Sequence, residues 1–213
     1  MIVLSDNDIV LKLAQCDLLR YLPDILMEDP EGIYVSPTAR FQLLPKSSDK
    51  ALKKCGSKQI YQNIQNFLDS VKVIDEIKDD ALLNQLGSIP HIDVGEQQLL
   101  ASCVENPGSL FMTGDRRCLH AVMENQMLVT AVHARLINSV ITYESALLLS
   151  VVMLGFENVY KQLQTNPSPD SMLRLAMRSS QPEEVCGCIF SFTRPLYDYL
   201  AYKDRLPDRN WQI

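Results

Sequence analysis

The sequence predicts an α/β fold of three layers, a mostly parallel central sheet flanked by helices, plus a helical C-terminal extension. Three observations carry this. Short β-branched, apolar runs alternate with longer segments whose apolar residues recur in steps of three and four. Hydrophobic residues make up 46% and charged residues 22%, an ordinary globular composition that excludes disorder, collagen-like repeats and a coiled coil for the whole chain. The 213 residues suit one domain with an appendage better than two full domains. The expected division is a domain over 1–164, a linker over 165–170 and the extension over 171–213.

Ile2-Val3-Leu4 reads as a buried strand that stops at Ser5-Asp6. Ile9, Val10, Leu13, Ala14, Leu18, Leu22, Ile25 and Leu26 then mark a helix with one apolar face. Ile33-Tyr34-Val35 is a second strand, and Pro37 suits the first turn of a short helix through Leu44. Pro45 to Lys58 is a loop or a lysine-rich helical start, followed by a helix over Gln59 to Ser70. Val71 to Ile74 is a third strand, Asp79 to Leu86 a short helix, and Gly87 to His91 a loop. Asp93 opens a helix that buries Leu99, Leu100 and Cys103 and is broken by Pro107-Gly108.

Leu110-Phe111-Met112-Thr113 is a fourth strand, ended by Gly114-Asp115 and followed by a helix over Arg116 to Glu124. A fifth strand is expected at Leu128 to Val132, with two helices filling Ala134 to Leu163. Thr165-Asn166-Pro167-Ser168-Pro169-Asp170 is a linker signal. Beyond it, one stripe of Met172, Leu175 and Ala176 and another from Val185 to Leu200, kinked near Pro195, predict amphipathic helices.

A formal net charge of -6 argues against a basic surface that grips a long nucleic-acid duplex, while leaving room for a local basic patch or a basic protein partner. The six cysteines, Cys16, Cys55, Cys103, Cys118, Cys186 and Cys188, are scattered without a C-x-x-C pair. They read as small buried residues rather than zinc ligands. Asp6 and Asp8 stand where a signal peptide would carry positive charge, and Ser145 to Phe156 is too short to cross a bilayer. The expectation is a cytoplasmic protein with reduced thiols and no membrane partner.

Chemistry is sought beyond the carboxyl ends of the strands, where parallel sheets bind ligands. Asp6 follows the first strand, Asp115 follows the fourth, and Glu96 lies in the first turn of the helix before the fourth. If the first and fourth strands are neighbours, the three acids converge. Clustered carboxylates repel unless a cation neutralises them, and hard Mg²⁺ or Mn²⁺ prefers such oxygen ligands. A plainer explanation stands beside this one. Asp6 or Asp8, Asp93 with Glu96, and Asp115 each suit the cap of the helix that follows.

Ile2-Val3-Leu4-Ser5-Asp6-Asn7-Asp8, Asp93-Val94-Gly95-Glu96-Gln97-Gln98-Leu99-Leu100-Ala101 and Leu110-Phe111-Met112-Thr113-Gly114-Asp115-Arg116-Arg117, in that order, resemble the PIN-domain family over roughly residues 1 to 160. The resemblance implies a PIN-like α/β fold and a Mg²⁺- or Mn²⁺-dependent ribonuclease. It also implies a homodimer, and an antitoxin partner if the chain is the toxin of a toxin–antitoxin pair. It maps the first, third and fourth family acids onto Asp6, Glu96 and Asp115, as metal-binding and catalytic residues. The second family acid falls on Gln42, whose amide oxygen can touch a metal but brings no charge, so Gln42, Asp8 and Asp93 enter as helpers. Arg40, Arg116 and Arg117 are candidate phosphate contacts, as are the lysines from Lys46 to Lys58, although such a charge run is commonly a solvated face. His91 reads as a loop residue near Asp93. Two further readings compete: a degenerate PIN-like protein-binding module, favoured by Gln42 and the acidic charge, and a small-molecule enzyme on a similar scaffold.

Overall fold

The computed structural model describes residues 2–165 and 170–207. The linker residues Asn166 to Pro169 and residues 208–213 of the expected extension lie outside the described residues. The strands are β1 (Val3–Ser5), β2 (Ile33–Val35), β3 (Lys72–Val73), β4 (Leu110–Thr113) and β5 (Val140–Thr142). Helices α1 (Asn7–Gln15) and α2 (Leu22–Leu26) follow β1, and α3 (Ala39–Leu43), α4 (Ser48–Cys55) and α5 (Lys58–Ser70) follow β2. Next come α6 (Asp80–Gly87) and α7 (Val94–Glu105), then α8 (Arg116–Glu124) and α9 (Thr130–Leu136) after β4. The chain after β5 forms α10 (Tyr143–Leu154), α11 (Phe156–Thr165), α12 (Ser171–Ala176) and α13 (Pro182–Thr193).

All five strands are parallel, in the order β3-β2-β1-β4-β5. The alternation of side chains along each strand divides the interior into two cores. Val3, Ile33, Val35, Leu110, Met112 and Ile141 face one core with α1, α2, α5, α10 and α13. Leu4, Phe111 and Val140 face the other, with α6, α7, α8 and α9. β1, β2, β4 and β5 read as largely apolar runs because both faces are covered, whereas the edge strand β3 is exposed.

The segment from α12 onward belongs to this packing. Met172, Leu173, Ala176, Val185, Cys186 and Ile189 are buried in the first core, whereas Leu196 and Tyr199 are buried in the second. The chain therefore passes around the β5 edge of the sheet. There it extends the ladder: Ser139 N donates to Tyr199 O at 2.9 Å and Ala201 N to Val140 O at 2.8 Å. Leu200 bridges Val140 in the parallel sense. An edge strand with unpaired amides is thereby covered.

Three local expectations are corrected. The fifth strand is not Leu128 to Val132. Val129, Val132 and Leu136 are all buried at helical spacing, and β5 is Val140–Thr142, buried throughout. Two helices do follow within Ala134 to Leu163, but only after the end of α9 and β5. The single helix expected from Ile9 to Leu26 is interrupted: Asp17 adopts φ 54° and α2 starts afresh with Pro23 in its first turn. Of the two forms expected for the lysine-rich stretch, the helical one is found, as α4.

All six cysteines are free; Cys188 is half-buried and the other five are buried. Among the described residues, no helix is long and apolar enough to cross a membrane.

Removing residues 171–213 is expected to abolish cooperative urea unfolding, because it opens both cores and the β5 edge together. A truncated chain that unfolds at the full-length midpoint would show that these helices are not core.

Candidate functional site

The strand order places β1 and β4 side by side at the point where connections leave the sheet in opposite directions, the crevice where open parallel sheets take ligands. Asp6 and Asp115 stand at the carboxyl ends of these two strands. Asp6 N continues the ladder to Met112 O at 2.8 Å, so the acid inherits the register of the strand pair. Its side chain caps α1, accepting from Asn7 N at 2.6 Å, and also accepts from the Thr113 hydroxyl at 3.2 Å. Thr113 Oγ1 in turn accepts from Asp115 N at 3.0 Å. One buried threonine thus ties the first acid to the start of α8.

Glu96 and Asp93 form a reciprocal capping box on α7. Asp93 N donates to Glu96 Oε2 at 2.8 Å, and Glu96 N to Asp93 Oδ1 at 2.9 Å. Asp115 caps α8 through Arg117 N at 2.8 Å and pairs with the Arg117 guanidinium at 2.7 Å. Each acid therefore serves as a cap, as the plainer explanation requires.

Their electrostatics shows that the caps also share one neighbourhood. Asp6 is 7% exposed and Glu96 4% exposed. Burial, reinforced by the charges of Asp8 and Asp93, pushes the Asp6 carboxyl up to about 6. Burial, reinforced by Asp6, Asp93 and Asp115, pushes Glu96 up to about 8. Burial acts the same way on Asp115, but its bonds to Arg117 outweigh it and hold the group below its ordinary value. Cys118 lies buried beside the group; burial and the charges of Glu96, Asp6 and Asp115 hold its thiol well above the ordinary range.

The helper residues divide. Asp8 is turned to Lys12, whose ammonium lies 2.8 Å from Asp8, 3.0 Å from Asp170 and 3.2 Å from Gly114 O. This packing explains the glycine of Thr113-Gly114-Asp115, since a Cβ there would stand 2.4 Å from Asp8 Oδ2. Gln42 is exposed, and its Oε1 accepts from Asn7 Nδ2 at 2.6 Å, so it reaches the site through Asn7. Asn7 Oδ1 is buried with no hydrogen-bond partner among the described residues. Asp93 is occupied by the capping box.

The arginines are also dispersed. Arg40 pairs with Asp69, Arg117 with Asp115, and Arg116 lies 3.9 Å from Glu144 and over the Phe192 ring. His91 is exposed at φ 69°.

Sequence reasoning missed Asn7, Thr113, Lys12 and Glu144. Glu144 is a buried carboxylate in the first turn of α10, directly after β5. Its pattern, a β-branched run and then an acid, repeats that of β1 and Asp6. Among the described residues, no three His, Cys, Asp or Glu side chains form a preformed cage for a metal ion. Compared with known proteins, the chain matches no family model, no curated protein and no solved structure.

Raised carboxyl values carry a definite pH sign. Asp6 and Glu96 retain protons in the folded chain above the pH at which the unfolded chain releases them. Their effect is a loss of stability as pH rises from about 4 through about 8. The urea midpoint is expected to fall between about pH 5 and about pH 8.5. Glu96→Gln, which retains the capping geometry, should remove most of that fall. An unchanged slope would reject the buried-charge assignment.

Proposed function

We propose that this protein is a PIN-like, metal-dependent ribonuclease that hydrolyses phosphodiester bonds at the pocket of Asp6, Glu96 and Asp115. The observation that carries the reading is the burial of Asp6 and Glu96 near Asp115 and Asp93 at the β1/β4 switch point, where burial raises the proton affinity of both and the charges of Asp6, Asp93 and Asp115 raise that of Glu96 further. A fold gains nothing from such mutual repulsion, whereas a divalent cation reverses its sign.

The donor types suit a hard ion, carboxylate oxygens joined by the orphaned Asn7 Oδ1 next to Asp6, although among the described residues no three His, Cys, Asp or Glu side chains are placed to hold a metal as they stand. A bound Mg²⁺ or Mn²⁺ would neutralise the acids and lower the pKa of a water for in-line attack on phosphorus. The chain's own part is to hold the ligands. Thr113 fixes Asp6 against β4, the capping box fixes Glu96, and the α8 cap fixes Asp115. Arg116, whose Nε has no partner among the described residues, is the arginine best placed to receive a phosphate next to Asp115.

A second reading, a degenerate PIN-like binding module, is favoured by two observations. Gln42 supplies an amide that is already committed to Asn7, and Arg117 already neutralises Asp115. Position 42 separates the two readings.

Wild-type protein is expected to cleave RNA with Mn²⁺, and Asp6→Asn or Asp115→Asn to lower the rate by roughly a hundredfold or more. Equal rates in all three would reject the site. Mn²⁺ at saturating concentration should also raise the wild-type melting temperature by mass action, and Asp6→Asn should suppress the rise. An inert wild type together with an active Gln42→Glu would favour the binding module, since a single restored charge would then separate a degenerate site from a working one.

A further inference from the structure

The lysine-rich stretch has no part in the carboxylate cluster, yet hydrogen bonds link it to that cluster. Lys50, Lys53 and Lys54 stand at i, i+3 and i+4 on α4 and therefore share one face, and all three are exposed. Lys54 Nζ donates to Gln42 O at 2.6 Å, which docks that face on α3. Gln42 Oε1 accepts from Asn7 Nδ2 at 2.6 Å, and Asn7 follows Asp6. A short chain of contacts thus runs from the cationic face to the first carboxylate. Next to Gln42, Phe41 leaves its ring 65% exposed.

On a chain of net charge -6, three lysines share one face of α4, flanked there by Asp49, and an exposed aromatic ring stands near them on the neighbouring helix, so that one class of ligand can use both. A merely solvated lysine run accounts for the charge and not for the ring. A polyanion that presents flat, unstacked groups accounts for both. Cationic grooves that track the backbone, with aromatic rings on which bases stack, are how single strands are held.

We propose that the lysine face of α4, together with Phe41, is the surface that holds a single-stranded RNA as it enters the carboxylate pocket. This rests on the ribonuclease reading for the identity of the strand. Lys50, Lys53 and Lys54 contact successive phosphates, and the Phe41 ring takes one base. A duplex keeps its bases stacked internally, so the ring discriminates against it.

The test is binding without chemistry. Full-length protein is titrated into a fluorescein-labelled oligouridine in EDTA, and fluorescence polarisation is followed across a salt series. The combined variant Lys50→Gln, Lys53→Gln, Lys54→Gln is expected to flatten the slope of log affinity against log salt by about 2, from about 0.7 per contact. Phe41→Ala is expected to weaken binding roughly tenfold with an unchanged slope. A duplex of equal length should be indifferent to Phe41→Ala.

Wild-type slopes and affinities in both variants would overturn the proposal, as would absence of wild-type binding at low salt. Equal competition by polyglutamate would also overturn it, in favour of an acidic protein partner. The outcome is separable from that of the nuclease reading. Lysine- and Phe41-dependent binding without cleavage in Mn²⁺ would keep the surface and discard the ribonuclease. Cleavage with neither dependence would do the reverse.

Discussion

The adjacency of β1 and β4 is the constraint on which the rest of the molecule depends. Two strands more than a hundred residues apart along the chain pair in register, with Val3 opposite Leu110 and Ser5 opposite Met112. Everything at the carboxyl edge follows from that register. Asp6 continues the ladder for one more bond, Thr113 closes on it from the neighbouring strand, and α1, α7 and α8 begin around the same spot. Three helix N-termini converging on one crevice supply backbone amides that hold carboxylates firmly. The same convergence brings the carboxylates near enough to repel. Capping and clustering are thus two consequences of one topology, and the caps do not argue against a site.

The remaining elements support this crevice from outside. Lys12 joins the start of α1, the β4–α8 turn and Asp170 at the head of α12 through a single ammonium. Burial works against that ammonium, but Asp8 and Asp170 hold its proton affinity above the ordinary value. On the far side, the chain after α13 pairs with β5 and places Tyr199 in the second core, where its hydroxyl meets His133 at 2.6 Å. The segment beyond the proline-rich linker therefore packs with the sheet itself, on both of its faces.

Much of this was readable from residue order. The runs at Ile2-Val3-Leu4, Ile33-Tyr34-Val35 and Leu110-Phe111-Met112 are short, apolar and closed by polar residues, which leaves little alternative to buried parallel strands. Asp93 and Glu96 carried their capping box in plain spacing. The fifth strand was misplaced because Leu128-Val129-Thr130 and Val140-Ile141-Thr142 are both an apolar pair followed by a threonine. Only packing distinguishes them: Val129 is the buried cap residue of α9 and Val132 lines its inner face, while Val140 pairs with Phe111 and Leu200. That displacement also concealed Glu144, since an acid is noticed at a strand end only when the strand is correctly placed. The break at Asp17 was hidden because the apolar spacing continues across it.

The sequence by itself determined the α/β class, the strands that are apolar on both faces, the helix starts and the identity of the acids, because these depend on local periodicity and on capping chemistry within a few residues. Tertiary structure alone decided which strands are neighbours, that Asp8 answers to Lys12, that Gln42 binds Asn7, and that Asp6 and Glu96 are buried near each other. Those facts arise from contacts between residues far apart in the chain and from the exclusion of water around them. No window of sequence contains either.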